Sequence, residues 1–176
     1  MSQYTQLRMR KSELDDTRIV DPPAGYEVRS YQPGDESAWA DIINASFGET
    51  KWDVEVTRKE LIDRPQFNPK GLFFVTWHGR PVGTCCAWRP IDKPNVGYVH
   101  MLGVMPEHQG KGLGHVLVLH VLDYFRKKGF REAILDTDDF RLPSIKTYLK
   151  LGFEPVYIGE NHRRRWEIVK DKLGTR

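Results

Sequence analysis

The sequence predicts an α/β fold of the α+β kind: one mixed, mostly antiparallel central sheet with helices on both faces. Three observations predict it. Leu72 to Trp77 and Arg80 to Trp88 are strand-like runs separated only by His78-Gly79, so they form an antiparallel hairpin. Val96 to Val104 is a third strand, followed by a helical pattern from His115 to Lys128 and a strand from Arg131 to Asp136. Such a strand-helix-strand unit gives a parallel pair through a right-handed crossover. The length, 176 residues, suits one domain with a sizeable core.

The elements follow in order. Residues 1–24 are polar and charged and read as an N-terminal extension, in which Gln6 to Arg10 alternates as a short edge strand would. Asp21 to Gly25 is a connector, and residues 25–176 form the main domain. Tyr26 to Tyr31 alternates as a strand. Pro33-Gly34-Asp35 turns the chain into a helix over Ser37 to Phe47, with Trp39, Ile42, Ile43 and Phe47 at helical spacing and Gly48 as its stop. Val54 to Ile62 is a second short helix. After the hairpin, Pro90 to Pro94 is a loop. Leu142 to Leu151 is a helix, with Pro143 tolerated in its first turn and Gly152 as its stop. Phe153 to Ile158 and Arg165 to Val169 read as closing strands, His162 to Arg165 as a solvated turn, and Lys170 to Arg176 as a polar tail.

Composition excludes several classes. No apolar run approaches the ~20 residues of a membrane span. The N-terminus lacks the apolar centre of a signal peptide. The only cysteines, Cys85 and Cys86, are strand neighbours that point to opposite faces, so reduced thiols and a cytoplasmic home are expected. A net charge of +3 is too small to argue nucleic-acid binding. His108, His115 and His120 have no metal-ligand spacing with any carboxylate, and no metal is expected.

The stretch that carries chemistry is Leu102-Gly103-Val104-Met105-Pro106-Glu107-His108-Gln109-Gly110-Lys111-Gly112-Leu113-Gly114. Glycines let a ligand approach the backbone, and the first turn of the following helix offers free N–H groups to an anion. A dinucleotide fingerprint fails on spacing, because Gly114 comes one place early. A Walker loop fails because Lys111 is followed by Gly112. What stands is Gln109-x-x-Gly112-x-Gly114 after a strand ending Leu-Gly-Val-x-Pro. This resembles the pyrophosphate loop of the GCN5-related N-acetyltransferase (GNAT) superfamily, which uses acetyl-coenzyme A. A second match is Pro143 to Phe153, a helix carrying Tyr148 before Gly152-Phe153. The resemblance covers about residues 25–169 and lies nearest the acetyltransferase domains of mycothiol synthases and their relatives.

The resemblance implies an acetyl-CoA-dependent N-acetyltransferase in which an amine attacks the thioester directly. It implies cofactor contacts from Leu102, Gly103 and Val104 and from the loop residues Gln109, Gly110, Lys111, Gly112, Leu113 and Gly114. Ser144 and Tyr148 of the second motif belong to the same set. Val104 would polarise the carbonyl through its backbone N–H. Tyr148 matches the general acid that protonates the leaving thiolate; the other reading is an aromatic packed in a core helix. Where the family often has Asn, this chain has Arg141, so either Arg141 replaces that contact or the adenosine end is held differently. His100, on one strand face with Tyr98, is either the general base or a wall histidine, with Glu107 as a rival base. Asp136, Asp138 and Asp139 either cap the next helix, face solvent or hold a cationic substrate. Trp39, Trp52, Trp77 and Trp88 are core or line the acceptor pocket.

The acceptor is expected to be a small-molecule or peptide amine. The alternative function is a non-catalytic acyl-CoA-binding or regulatory module of the same fold. An exposed edge strand would suit a homodimer.

Overall fold

Apolar runs buried on both faces build the centre of the sheet, and 3.6-residue spacing builds the helices packed on it. The computed structural model describes residues 6–174. In chain order these are β1 (Leu7–Lys11), β2 (Tyr26–Ser30), α1 (Glu36–Phe47), α2 (Val54–Thr57), β3 (Leu72–Trp77), β4 (Arg80–Trp88), β5 (Val96–Val104), α3 (Leu113–Lys127), β6 (Glu132–Thr137), α4 (Leu142–Lys150), β7 (Glu154–Val156) and α5 (His162–Leu173). The sheet runs β2-β3-β4-β5-β6-β1-β7, and only β5 and β6 are parallel. The fold class is therefore the expected one.

Two cores sandwich the sheet, and adjacent residues of one strand feed both. Cys85 joins Val75, Leu117, Leu122, Ile145 and Trp166 on the side of α3, α4 and α5. Cys86 joins Trp39, Ile42, Ile43 and Phe74 on the side of α1. Helix α1 lies close on β5 because Gly103 has no side chain: a Cβ there would stand 2.8 Å from Ser46 Oγ and 3.1 Å from Ile43 Cδ1. Gly48 ends α1 in the left-handed conformation, with φ 65°.

Four expectations need correction. The N-terminal strand is not an edge. β1 lies between β6 and β7, with Leu7 and Met9 fully buried. The strand expected over Arg165–Val169 is helix α5, and the expected turn at His162 is its first turn. Trp166 and Val169, three apart, are both buried, whereas Ile168 is exposed, which is helical and not strand periodicity. Most of the expected polar tail is the end of α5, which runs to Leu173; its last residues, 175 and 176, lie outside the described residues, as do residues 1–5 of the N-terminal extension. Val54–Ile62 is helical, but it passes from α2 into a π-helical turn at Arg58–Ile62.

Candidate active site

The parallel pairing of β5 and β6 is short. It covers Val96 with Glu132, Gly97 with Ala133 and Tyr98 with Ile134, and then stops. Beyond that point the two strands diverge, and a wedge opens toward their C-terminal ends, where open α/β sheets place ligands. On its β5 side the wedge exposes backbone. Gly83 of β4 pairs with Val104, and the Met105 N–H bonds Val82 O at 2.8 Å. That pattern makes Gly83–Val104 a non-hydrogen-bonded pair, which turns the Val104 N–H and C=O away from β4. The Val104 carbonyl accepts from Ser46 Oγ (3.1 Å) and Gln109 Nε2 (2.9 Å).

A bulge sets which side chains reach which face. Met101 and Leu102 oppose Cys85 alone, and Met101 takes φ 54°. His100 and Gly103 thereby face α1's side, while Leu102 and Val104 pack against the α3 core. Strict alternation would have put His100, Leu102 and Val104 on one face.

At the mouth of the wedge lies a cavity of about 640 Å³, lined by both sequence motifs. Leu102, Gly103, Val104, Gln109, Gly110, Gly112, Leu113, Gly114, Arg141 and Ser144 all border it. Gly110 and Gly112 hold φ 76° and 78°, which L side chains seldom adopt. A Cβ on either would meet nothing within 4 Å, so conformation is what requires glycine there. Gly112 caps α3 with no side-chain acceptor. The first helical bond runs from Val116 N to Gly112 O, leaving the N–H groups of Leu113, Gly114 and His115 as orphan donors at the cavity.

Lys111 stands apart from the cavity lining: its ammonium folds back onto Glu107 O at 3.1 Å. Glu107 itself is exposed. Arg141 stacks on Phe47 at 3.9 Å and pairs with Asp138 at 3.0 Å, bridging the end of α1 to the start of α4. Sequence reading missed Ser46, Phe47, His108, Lys146 and Lys150 on the same wall. Lys146 and Lys150 were legible as cations at helical spacing on α4. His108 is anchored by the Tyr26 hydroxyl at 2.8 Å.

Tyr148 is buried on α4, its ring 5.9 Å from Phe153. Burial pushes its phenol well above the ordinary range, with Cys85 adding to the shift and Arg141 opposing it. His100 and Tyr98 belong to a second cavity of about 430 Å³, at the closed end of the wedge. Its lining includes Arg8, Trp88, Lys93 and Ile134. The His100 ring lies 5.0 Å from Trp88 and 5.8 Å from Tyr98, and burial lowers its pKa to about 4.

The acidic cluster is neither a cap nor free. Asp136 takes a bidentate pair from Arg8 (2.8 and 2.9 Å) and the Tyr98 hydroxyl at 3.3 Å. Asp138 pairs with Arg141, and Asp139 accepts Arg165 Nε at 2.9 Å. No side chain caps α4. Of the four tryptophans singled out, only Trp88 lines the second cavity; Trp39 is core, Trp52 packs on it at 4.9 Å and Trp77 packs on Tyr26 at 4.5 Å.

Comparison with known proteins identifies this arrangement. The model of the Acetyltransferase (GNAT) family matches residues 37–153, from α1 through the glycine loop to the end of the second motif. The chain belongs to the GNAT acetyltransferase family. The GNAT chain is 34% identical over 154 residues to the mycothiol acetyltransferase of Thermomonospora curvata, covering 84% of this chain and 50% of that protein. It is 31% identical over 160 residues to the mycothiol acetyltransferase of Streptomyces griseus, covering 87% and 52%. The chain thus spans about half the length of the curated relatives it matches. Among solved structures, a GCN5-related N-acetyltransferase from Sphaerobacter thermophilus superposes with a TM-score of 0.72 at 21% identity, covering 86% of this chain and 49% of that one. The ribosomal-protein-S18-alanine N-acetyltransferase of Escherichia coli gives 0.63 at 20%, covering 78% and 83%. These two likenesses speak to the fold.

Proposed function

We propose that this GNAT domain is an acetyl-CoA-dependent N-acetyltransferase in which cofactor and acceptor meet in the β5–β6 wedge. The observation that carries the reading is the wedge itself: pairing stops at Tyr98–Ile134, with the motif-lined cavity at its mouth and the His100 cavity at its closed end. The residues present suit acetyl-CoA. Orphan N–H groups of α3, with Lys146 and Lys150 opposite, fit a pyrophosphate. The unpaired edge of β5 suits the amide-bearing arm. Acetyl-CoA supplies an activated acetyl group.

The chain's own groups would act as follows. The Val104 N–H, turned away from β4, donates to a carbonyl oxygen held in the wedge. His100, neutral above about pH 4, accepts a proton from the acceptor nitrogen as the new bond makes that nitrogen acidic. Its low basicity means that the acceptor must already be a neutral amine on arrival. Tyr148, fully protonated at neutral pH, donates to the departing sulfur, and the Arg141 charge favours the phenolate that this leaves. His100 releases its proton to solvent and Tyr148 regains one, which completes the cycle. Lys111, folded on Glu107 O, is left to steer anions through its charge.

The test is release of the coenzyme thiol from acetyl-CoA in the presence of pooled amines. The reading expects amine-dependent release with acetylated amine as product. Cofactor binding without turnover of any amine would favour a binding or regulatory module instead.

A further inference from the structure

The cavity at the closed end of the wedge carries more information than its histidine. It is walled by Trp88, Tyr98, His100 and Ile134, and its charged groups are Arg8, Lys93 and Asp92. Arg8 enters from β1, a strand outside the stretch matched by the family model. Its guanidinium spends Nε and Nη2 on Asp136, leaving Nη1 without a partner among the described residues. Both Asp136 oxygens in turn accept from Arg8, and one also accepts from Tyr98. The Lys93 ammonium also has no partner among the described residues, whereas Asp92, exposed on the same cavity wall, acts on Arg8 through its charge. The cavity thus holds two half-buried cationic donors, the Arg8 guanidinium through Nη1 and the Lys93 ammonium, beside the ring of His100.

We infer that the acceptor is a small amine that also bears a carboxylate, held by Arg8 and Lys93 while its nitrogen faces His100. This rests on the reading of that cavity as the acceptor site. A planar guanidinium with a free N–H suits a carboxylate, and Lys93 adds a second donor and a full charge. Asp136 locks the guanidinium in place, so little side-chain freedom is lost on binding. The aromatic and aliphatic walls cover the carbon skeleton between the two ends. Specificity then comes from β1 and the loop before β5: an acceptor lacking the carboxylate leaves the free Arg8 N–H and the Lys93 ammonium without an acceptor.

The experiment measures thiol release for α-amino acids and for ω-amino acids of increasing chain length, each beside its carboxamide, with simple alkylamines as a third set. An amide lowers the pKa of a nearby amine and makes it more available, so a preference for the acid runs against intrinsic reactivity. The inference expects at least one acid to exceed its amide by about tenfold or more in kcat/KM, the usual worth of a charge-assisted hydrogen bond. Lys93→Met should raise KM for that acid by about tenfold with kcat nearly unchanged, and Arg8→Met, which also uncovers Asp136, should raise it at least as much. Lys93 lies in a loop, so Lys93→Met keeps the test valid if Arg8→Met fails to fold. Amides equal to acids, alkylamines turned over with no acid accepted, or an acid preference that survives Lys93→Met would each overturn the inference and leave the acetyltransferase reading standing. Silence from all three sets would remove that reading and the inference with it.

Discussion

Two residues carry the proposed chemistry, and their environments set opposite expectations. Tyr148 is buried and raised in pKa, so Tyr148→Phe removes a proton donor while keeping the ring packed on Phe153. Expected is a fall in kcat of about 100-fold or more, with unfolding free energy changed by less than about 1 kcal/mol, read by steady-state kinetics and urea denaturation. His100 is lowered to about 4 from an ordinary 6.5. The unfolded state therefore binds more protons between those values, and stability rises with pH through that window. The stability it contributes is complete above about pH 6.5 and is lost as pH falls toward 4. Urea midpoints at pH 4.5 and 7 should converge in His100→Asn relative to the parent. The acid limb of kcat/KM expressed per neutral amine should likewise lie near pH 4 and not near 6.5. Which face His100 occupies was legible from alternation with Tyr98. That burial would weaken it as a base was not, because Trp88 reaches it across the sheet from β4.

At the scale of elements, the β5–loop–α3 unit was legible almost whole, since its strand, glycines and helix are local patterns. The bulge at Met101 was not. Nothing in a run of apolar residues tells where one extra residue enters the ladder, yet that residue decides which side chains face the wedge. The helix at the C-terminus was misread because Arg-Trp-Glu-Ile-Val alternates locally; its buried positions, Trp166, Val169 and the half-buried Leu173, emerge only over a longer window. The loop supports a direct prediction. Gly112→Val should fold, because a Cβ there meets no atom within 4 Å. It should lose about 1–2 kcal/mol from the left-handed backbone it must hold. Calorimetric titration should then show coenzyme A binding weakened at least about tenfold, because the added side chain stands in the cavity where the ligand must approach the loop's N–H groups.

For the whole molecule, the N-terminal strand changes from appendage to structural member. Residues 7–11 sit between β6 and β7, and Arg8 pairs directly opposite Asp136. Its strand character was legible from alternation. Its place was not, because its partners lie more than a hundred residues away and local sequence does not name them. Leu7→Ala should cost about 2–5 kcal/mol, the range for a buried leucine. Deletion of residues 1–11 should abolish cooperative urea unfolding, because it leaves both β6 and β7 unpaired on that side. The edges of the finished sheet are β2 and β7, so these, and not β1, are the strands open to a partner chain. The central claim is that one rigid wedge, splayed at Tyr98–Ile134, holds acetyl-CoA. The most direct measurement is the thermal midpoint with and without acetyl-CoA, in the parent and in Gly112→Val. At about 100 times its dissociation constant a ligand adds about 2.7 kcal/mol, which for a chain of this size raises the midpoint by roughly 5–10 °C. The account predicts that rise in the parent and at most about half of it in Gly112→Val at the same acetyl-CoA concentration. No rise at saturating acetyl-CoA, or an equal rise in both proteins, would contradict it.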